Sequence, residues 1–251
     1  MKIARLSLPQ GPRFATFDEE TGTYHVLAGD PMYSGFEYSG QVLHPRDVKL
    51  VAPMIPRSKV VGFGGIIDEG VNSVDQLFTF IKPNTAVTGP GASIVTPPSS
   101  TDVRVEAELA VVISRMAKDV PVERAHEVVF GYTVANDVTD VHGQSIGRHI
   151  AQTKGFDTSC PLGPMINTEV DPEGARVRLM IDGDVVTDHA LGESHFSPLE
   201  LVAYASSMFT LLPGDVIICG AFEPGVQVQP GQEASCEITG IGVLDNPVLA
   251  G

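Results

Sequence analysis

The chain has 251 residues, enough to bury a substantial core as one domain or as one domain with a small appendage. Its 31 acidic residues against 16 basic ones give a formal charge of −15 with no basic stripe, which excludes nucleic acid as a partner because phosphate binding needs clustered Lys and Arg. Hydrophobic residues at 43% and charged ones at 19% describe an ordinary soluble globular protein, and no stretch approaches the roughly 20 apolar residues of a membrane span.

The first residues alternate too quickly, and break too early at Pro9, to be the apolar core of a signal peptide. Residues 1–52 read as a small N-terminal β domain. Lys2–Leu6, Arg13–Phe17 and Thr23–Leu27 are short strands, with a turn at Glu19-Glu20-Thr21-Gly22. Tyr33 to Pro45 is Gly-rich and polar and is expected to be irregular. Pro53 and Pro56 mark the boundary, and residues 53–251 form the second unit. There, Lys59–Phe63 and Leu77–Ile81 are β-compatible, and turns follow at Lys82-Pro83-Asn84-Thr85 and Gly89-Pro90-Gly91. Asp119, Pro121 and Glu123 predict a short helix over Pro121–Val129 that ends at Gly131. Val177, Leu179 and Ile181 alternate with polar neighbours before Asp182-Gly183 and Val185-Val186, a hairpin pattern. The clearest helix runs from Pro198 to Met208, with Ser197 as cap and Glu200 closing a capping box. Three cysteines (Cys160, Cys219 and Cys236) are odd in number and lack metal-type spacing, so they read as reduced thiols of a cytoplasmic protein.

Within this order, Val105-Glu106-Ala107-Glu108-Leu109-Ala110-Val111-Val112-Ile113 stands out. In a strand, Glu106 and Glu108 leave one side while Ala107, Leu109 and Val111 bury the other. Two carboxylates on one face repel unless something positive lies between them. A second β-rich run, Tyr132 to Val138, carries Asp137, a third carboxylate able to join them. Three hard oxygen donors suit Mg²⁺, Mn²⁺ or Ca²⁺. On these residues alone, the wet face of an amphipathic strand is the simpler account of the pair.

Four motifs in register go further. They are Glu106-x-Glu108-Leu109-x-Val111-Val112-Ile113, then Gly131-Tyr132 with Asn136-Asp137-Val138, then Lys154-Gly155-Phe156-Asp157 with Pro161-Leu162-Gly163-Pro164, and Leu212-Pro213-Gly214-Asp215-Val216-Ile217. Their order and spacing over Pro56 to Val248 resemble the fumarylacetoacetate hydrolase family. The resemblance implies an α+β fold, a mixed β-roll preceded by the small N-terminal β domain. It also implies a homodimer acting on a small molecule, and Mg²⁺ or Mn²⁺ held by Glu106, Glu108 and Asp137. Chemistry in such a family begins with a dicarbonyl or keto-acid substrate whose enolate is stabilised by the cation. Lys154 matches the family's active-site lysine, which would neutralise a developing oxyanion, and Lys82 matches a second lysine with weaker functional implication.

The chain also departs from the family pattern. Where a lid His and Glu that activate water are expected, it reads Gly62-Phe63-Gly64-Gly65-Ile66-Ile67-Asp68-Glu69-Gly70, and its first histidine beyond that lid is His126. Asp68 and Glu69 are candidate substitute bases, as is His142, which is new at its position. Val141 and Gln152 stand where arginines are common, and Cys219-Gly220-Ala221-Phe222 replaces Thr-Gly-Thr-Pro, so the pocket should be more apolar. Three readings follow: a metal-dependent isomerase, tautomerase or decarboxylase that works through an enolate, a C–C hydrolase with a substitute base, or a member recruited to another reaction or a non-catalytic role. The apolar substitutions favour the first and third.

Overall fold

In the computed structural model, which describes residues 1–251, the chain forms twenty short strands and few helices. The strands make sheets of twelve, five and three. The arrangement is the expected α+β mixed β-roll. No helix is long and apolar enough to cross a membrane.

Side-chain alternation in one central strand sets the layers. Ala107–Ile113 runs antiparallel to Val129–Asn136 on one side and to Val216–Ile218 on the other. Leu109, Val111 and Ile113 enter a core of 35 buried residues, while Ala110 and Val112 enter a second core of 13 on the opposite face. Every residue of this strand is buried, so the one-sided strand with a wet face is corrected: neither face meets water. The larger core is closed by the five-stranded sheet, through residues such as Val177, Leu179, Cys236 and Ile238, and by Leu201, Val202 and Ala205 of the Pro198–Met208 helix. That helix carries the predicted cap, with Ser197 N donating to Glu200 Oε2 at 2.8 Å and Glu200 N to Ser197 Oγ at 3.3 Å.

Lys2–Ser7 pairs with Cys160–Asn167, so the N-terminal strands extend the large sheet while keeping a small apolar cluster around Leu6, Ala15 and Val26. Tyr38–Leu43, expected to be irregular, is a strand paired with Thr23–Leu27. It has no buried face, and its backbone pairing is helped only by edge contacts such as Ser39 Oγ to Val26 O and Leu43 on the N-terminal cluster, which is why no alternation marked it. The predicted helix near Pro121 is instead a 3-10 helix, Val122–Val128. Its buried residues, Ala125 and Val128, are three apart, the spacing that aligns side chains at three residues per turn. The hairpin forms as read, with Asp182 (φ 52°) and Gly183 (φ 87°) supplying the two left-handed residues of a tight turn.

One buried charge ties the chain's two halves together. Asp215, fully buried, accepts from Ser58 Oγ at 2.8 Å, Lys59 N at 3.3 Å and Leu212 N at 3.0 Å, and pairs with Lys59 Nζ at 2.7 Å. These contacts lock the parallel register of Val216–Ile218 against Lys59–Gly64. Asp215→Ala is expected to lower the unfolding free energy by roughly 3 kcal/mol, because it orphans several donors at once. Urea unfolding checks this, and a loss under about 1 kcal/mol would mean that the apolar cores alone hold the junction.

Candidate active site

The chain changes sheets at Glu106. Val103–Val105 belongs to the three-stranded sheet and Ala107–Ile113 to the twelve-stranded one, with Glu106 in the break between them. Beside it, Val129–Asn136 ends and Asp137 follows, its N–H donating to Glu106 O at 2.9 Å. This seam brings Glu106, Glu108 and Asp137 together, with one carboxylate oxygen from each lying within 4.8 Å of the others. Glu108 and Asp137 are buried and Glu106 is partly open.

Two lysines meet the cluster. Lys154, from the short Ile150–Lys154 helix, donates to Asp137 Oδ2 and to Glu106 Oε2, the latter at 3.2 Å, and lies 4.5 Å over the Phe80 ring. Lys82, fully buried, reaches Asp137 Oδ1 at 2.6 Å and donates to Val138 O at 3.0 Å and Ser159 O at 2.7 Å. Gly62 makes room for Phe80, since a Cβ there would come within 2.2 Å of the ring. Glu108 Oε2 accepts from Gly220 N at 2.6 Å. Gly220 has φ +92°, and a Cβ would lie 2.7 Å from Ile66, so only glycine fits.

Burial pushes the Glu106 and Glu108 carboxyls above their ordinary range, and nearby Asp137 pushes both further. Burial acts on Asp137 in the same direction, but Lys82 and Lys154 outweigh it and hold this carboxyl below the usual value. Burial disfavours the Lys154 charge, yet Asp137 and Glu106 reverse the balance and hold the ammonium firmly protonated. Three carboxylates against two ammoniums leave one net negative charge at a site of hard oxygen donors. The donor set therefore fits a divalent cation.

The cluster opens into a cavity of about 210 Å³ lined by Glu106, Glu108, Asp137 and Lys154, with Phe63, Phe78, Phe80 and Ala221 as apolar wall. No arginine lines it. Of the candidate bases, Asp68 reaches the cavity, whereas Glu69 is exposed and does not. His142 is not brought to the site. Its Nδ1 accepts from Thr101 N at 3.1 Å, which commits the ring to the segment leading into the three-stranded sheet. Gln152 is also absent from the lining and caps its own short helix through His149 N. Sequence reasoning missed Glu223, which lines the cavity, and His189 bonded to it. His189 lies about 50 residues beyond the Asp137 motif on a hairpin read only as structure, so no local signal marked it.

The fumarylacetoacetate (FAA) hydrolase C-terminal family model matches residues 65–249, and an Rv2993c-like N-terminal model matches residues 1–53. The chain is 36% identical to Protein Rv2993c of Mycobacterium tuberculosis, over 99% of this chain and 98% of that protein. It is 32% identical to a mitochondrial oxaloacetate tautomerase, fahd2, of Xenopus laevis, over 86% of this chain and 73% of that protein. A crystal structure of 5-carboxymethyl-2-hydroxymuconate delta-isomerase from Mycobacterium smegmatis superposes with a TM-score of 0.93 at 35% identity, covering both chains in full. The carboxylate seam, its lysine and this likeness over nearly the whole length agree, and the chain belongs to the fumarylacetoacetate hydrolase family.

Proposed function

We infer that the protein is a divalent-metal-dependent enzyme that interconverts keto and enol forms of a small dicarbonyl or keto acid, as an isomerase or tautomerase. The observation that carries this reading is the Lys154 ammonium seated between Glu106 and Asp137 at the base of an arginine-free cavity. Glu106, Glu108 and Asp137 would hold Mg²⁺ or Mn²⁺, which when bound supplies Lewis acidity toward a substrate's two oxygens. The chain's own part is distinct. Lys154 presents a fixed positive charge to the oxygen on which enolate charge develops, in a site dry enough for that charge to count. Phe80 beneath it and Asp137 beside it keep the ammonium from swinging away. Relatives named for tautomerase and isomerase activities support the same reaction class. A hydrolytic reading rests on Asp68, whose position in the lining offers a base for water. We further infer a cytoplasmic homodimer. All three cysteines are free and buried, as in a reducing compartment, and closed two-fold pairs are the commonest soluble oligomers.

Three outcomes test this reading. Excess Mg²⁺ or Mn²⁺ should raise the melting temperature and EDTA should lower it, because an ion bound only by the folded state stabilises it in proportion to its concentration. Glu106→Gln should remove the difference. Sign follows from the carboxyl shifts: the ion needs deprotonated ligands, and Glu106 and Glu108 hold protons to higher pH than an ordinary glutamate near pH about 4.3. The melting increment should therefore fade on acidification at a higher pH than that at which ordinary carboxylates titrate. An increment untouched by Glu106→Gln would remove the metal from this site.

With Mg²⁺ and oxaloacetate or an acylpyruvate, enolisation or CO₂ release should outpace hydrolytic cleavage, and Lys154→Ala should lower kcat by roughly 10²–10³-fold. Faster hydrolysis, lost in Asp68→Asn, would favour the hydrolase instead. Light scattering should give twice the chain mass of 26.6 kDa, and a monomer at micromolar concentration would refute the dimer.

A further inference from the structure

Keto–enol interconversion needs a group that takes a proton from carbon and gives it back, and the lid where the family's base is expected carries no histidine. In the cavity lining, between Ala221 and Pro224, stands Glu223. Its Oε1 lies 2.8 Å from His189 Nε2, and His189 Nδ1 lies 3.4 Å from Glu193 Oε2. The imidazole also stacks on the buried Phe222 ring, with centroids 5.5 Å apart and planes within 11°. The backbone beneath it is fixed as well. His189 belongs to the Asp184–Ala190 strand, and its neighbour Asp188 is pinned by Arg176 at 2.8 Å and Arg178 at 3.2 Å. An incidental surface ion pair would have little reason to be fixed by a strand, an aromatic shelf and a second carboxylate together. Asp68, the other carboxylate at the rim, is exposed like Glu223 but stands on a Gly-rich loop and makes no ion pair, whereas Glu223 is held by His189.

We propose that Glu223 is the catalytic base of the reaction inferred above, and that His189, held by Phe222 and Glu193, is the residue that positions it. The proposal rests on that functional reading. In the forward step the Glu223 carboxylate takes a proton from the carbon beside the substrate carbonyl. The C–H pair becomes the C=C bond, and the carbonyl π pair moves onto oxygen facing Lys154. The proton on Glu223 then passes through solvent at the open mouth to that oxygen. The product is the enol with every atom of the keto form, no oxidant or reductant is consumed, and Glu223 ends as it began. A positioned carboxylate suits this task, because it takes the proton from carbon in the forward direction and delivers one to the same carbon in the reverse.

Oxaloacetate with Mg²⁺ is the probe, measured as tautomerisation rate and as exchange of its C3 hydrogens in D₂O. Glu223→Gln should lower kcat by roughly 10²–10⁴-fold with KM changed only a few-fold. His189→Phe, which keeps an aromatic ring but loses the hydrogen bond, should also lose kcat at nearly constant KM, and His189→Gln, which restores a donor, should recover part of it. All three should keep the wild-type Mg²⁺-dependent melting shift, which guards against misfolding and separates this role from metal binding. A wild type with neither exchange nor metal shift overturns the functional reading and this proposal with it. An active wild type whose Glu223→Gln variant keeps its kcat, or whose His189→Phe variant moves only KM, overturns the proposal alone.

Discussion

A carboxylate taken out of water loses several kcal/mol of hydration even after the protein relaxes, and Asp137 is almost wholly buried. One ammonium at about 4 Å returns roughly 4 kcal/mol at the effective dielectric of a protein site, which comes near to break-even. Asp137 has two, Lys82 at 2.6 Å on one oxygen and Lys154 on the other. Two partners tip the balance, and they explain why Asp137 alone of the three carboxyls is held below its usual range. Glu108 is in the opposite condition. It is as deeply buried, but its one hydrogen bond is from the Gly220 N–H, and it faces two other carboxylates. The site is thus charge-balanced at one end and under-compensated at the other, and the uncompensated end points into the cavity.

That asymmetry is a product of the fold. The chain crosses from one sheet to another at Glu106, and the strand that delivers Asp137 ends at the same level. Glu108 keeps its ladder place opposite Ala135, and a continuous strand would have put Glu106 into the ladder as well. The break lets both side chains converge while the backbone groups freed by it are taken up locally, Glu106 N by Asn136 Oδ1 at 3.3 Å and Glu106 O by Asp137 N. The glycines serve the same seam. Gly62 clears the space that Phe80 fills beneath Lys154, and Gly220 brings an N–H to Glu108 where a side chain would strike Ile66.

Much of this was legible in the sequence because it is written in local pattern. Alternation gave the hairpin at Asp182-Gly183, and the Ser197 and Glu200 pair gave the main helix. Glu106, Glu108 and Asp137 could be grouped because alternation puts the two glutamates on one face and the motifs in register add Asp137, and the structure does bring the three together. What escaped depended on partners far along the chain. Tyr38–Leu43 has no apolar face and becomes a strand only because Thr23–Leu27 offers an edge. The seven-residue segment before Val129 carries helix signals, but its two buried residues are spaced for a 3-10 helix. His142 looked chemically apt by type and position, yet Thr101 takes its ring. His189 looked like one more residue of an exposed hairpin and stands beside Glu223 instead, a contact made across 34 residues.

The departures from the family pattern also read differently once they share a space. Phe222, which stands at the Pro of the family's Thr-Gly-Thr-Pro, is the surface on which His189 stacks, so the loop that loses hydroxyl donors at Cys219 and Ala221 gains a support for an imidazole. The missing arginines leave Lys154 as the one cationic side chain in a cavity that also holds Asp68, Glu106, Glu108, Asp137 and Glu223. An anionic keto acid entering such a space meets net repulsion unless positive charge is added to the carboxylate seam. On the function proposed above, substrate and cation would favour one another's binding, and such coupling is reciprocal by thermodynamic necessity. On that function, a cavity with a surplus of carboxylates would make affinity for an anion conditional on a cation at its base, whereas an arginine clamp would have supplied the positive charge unconditionally.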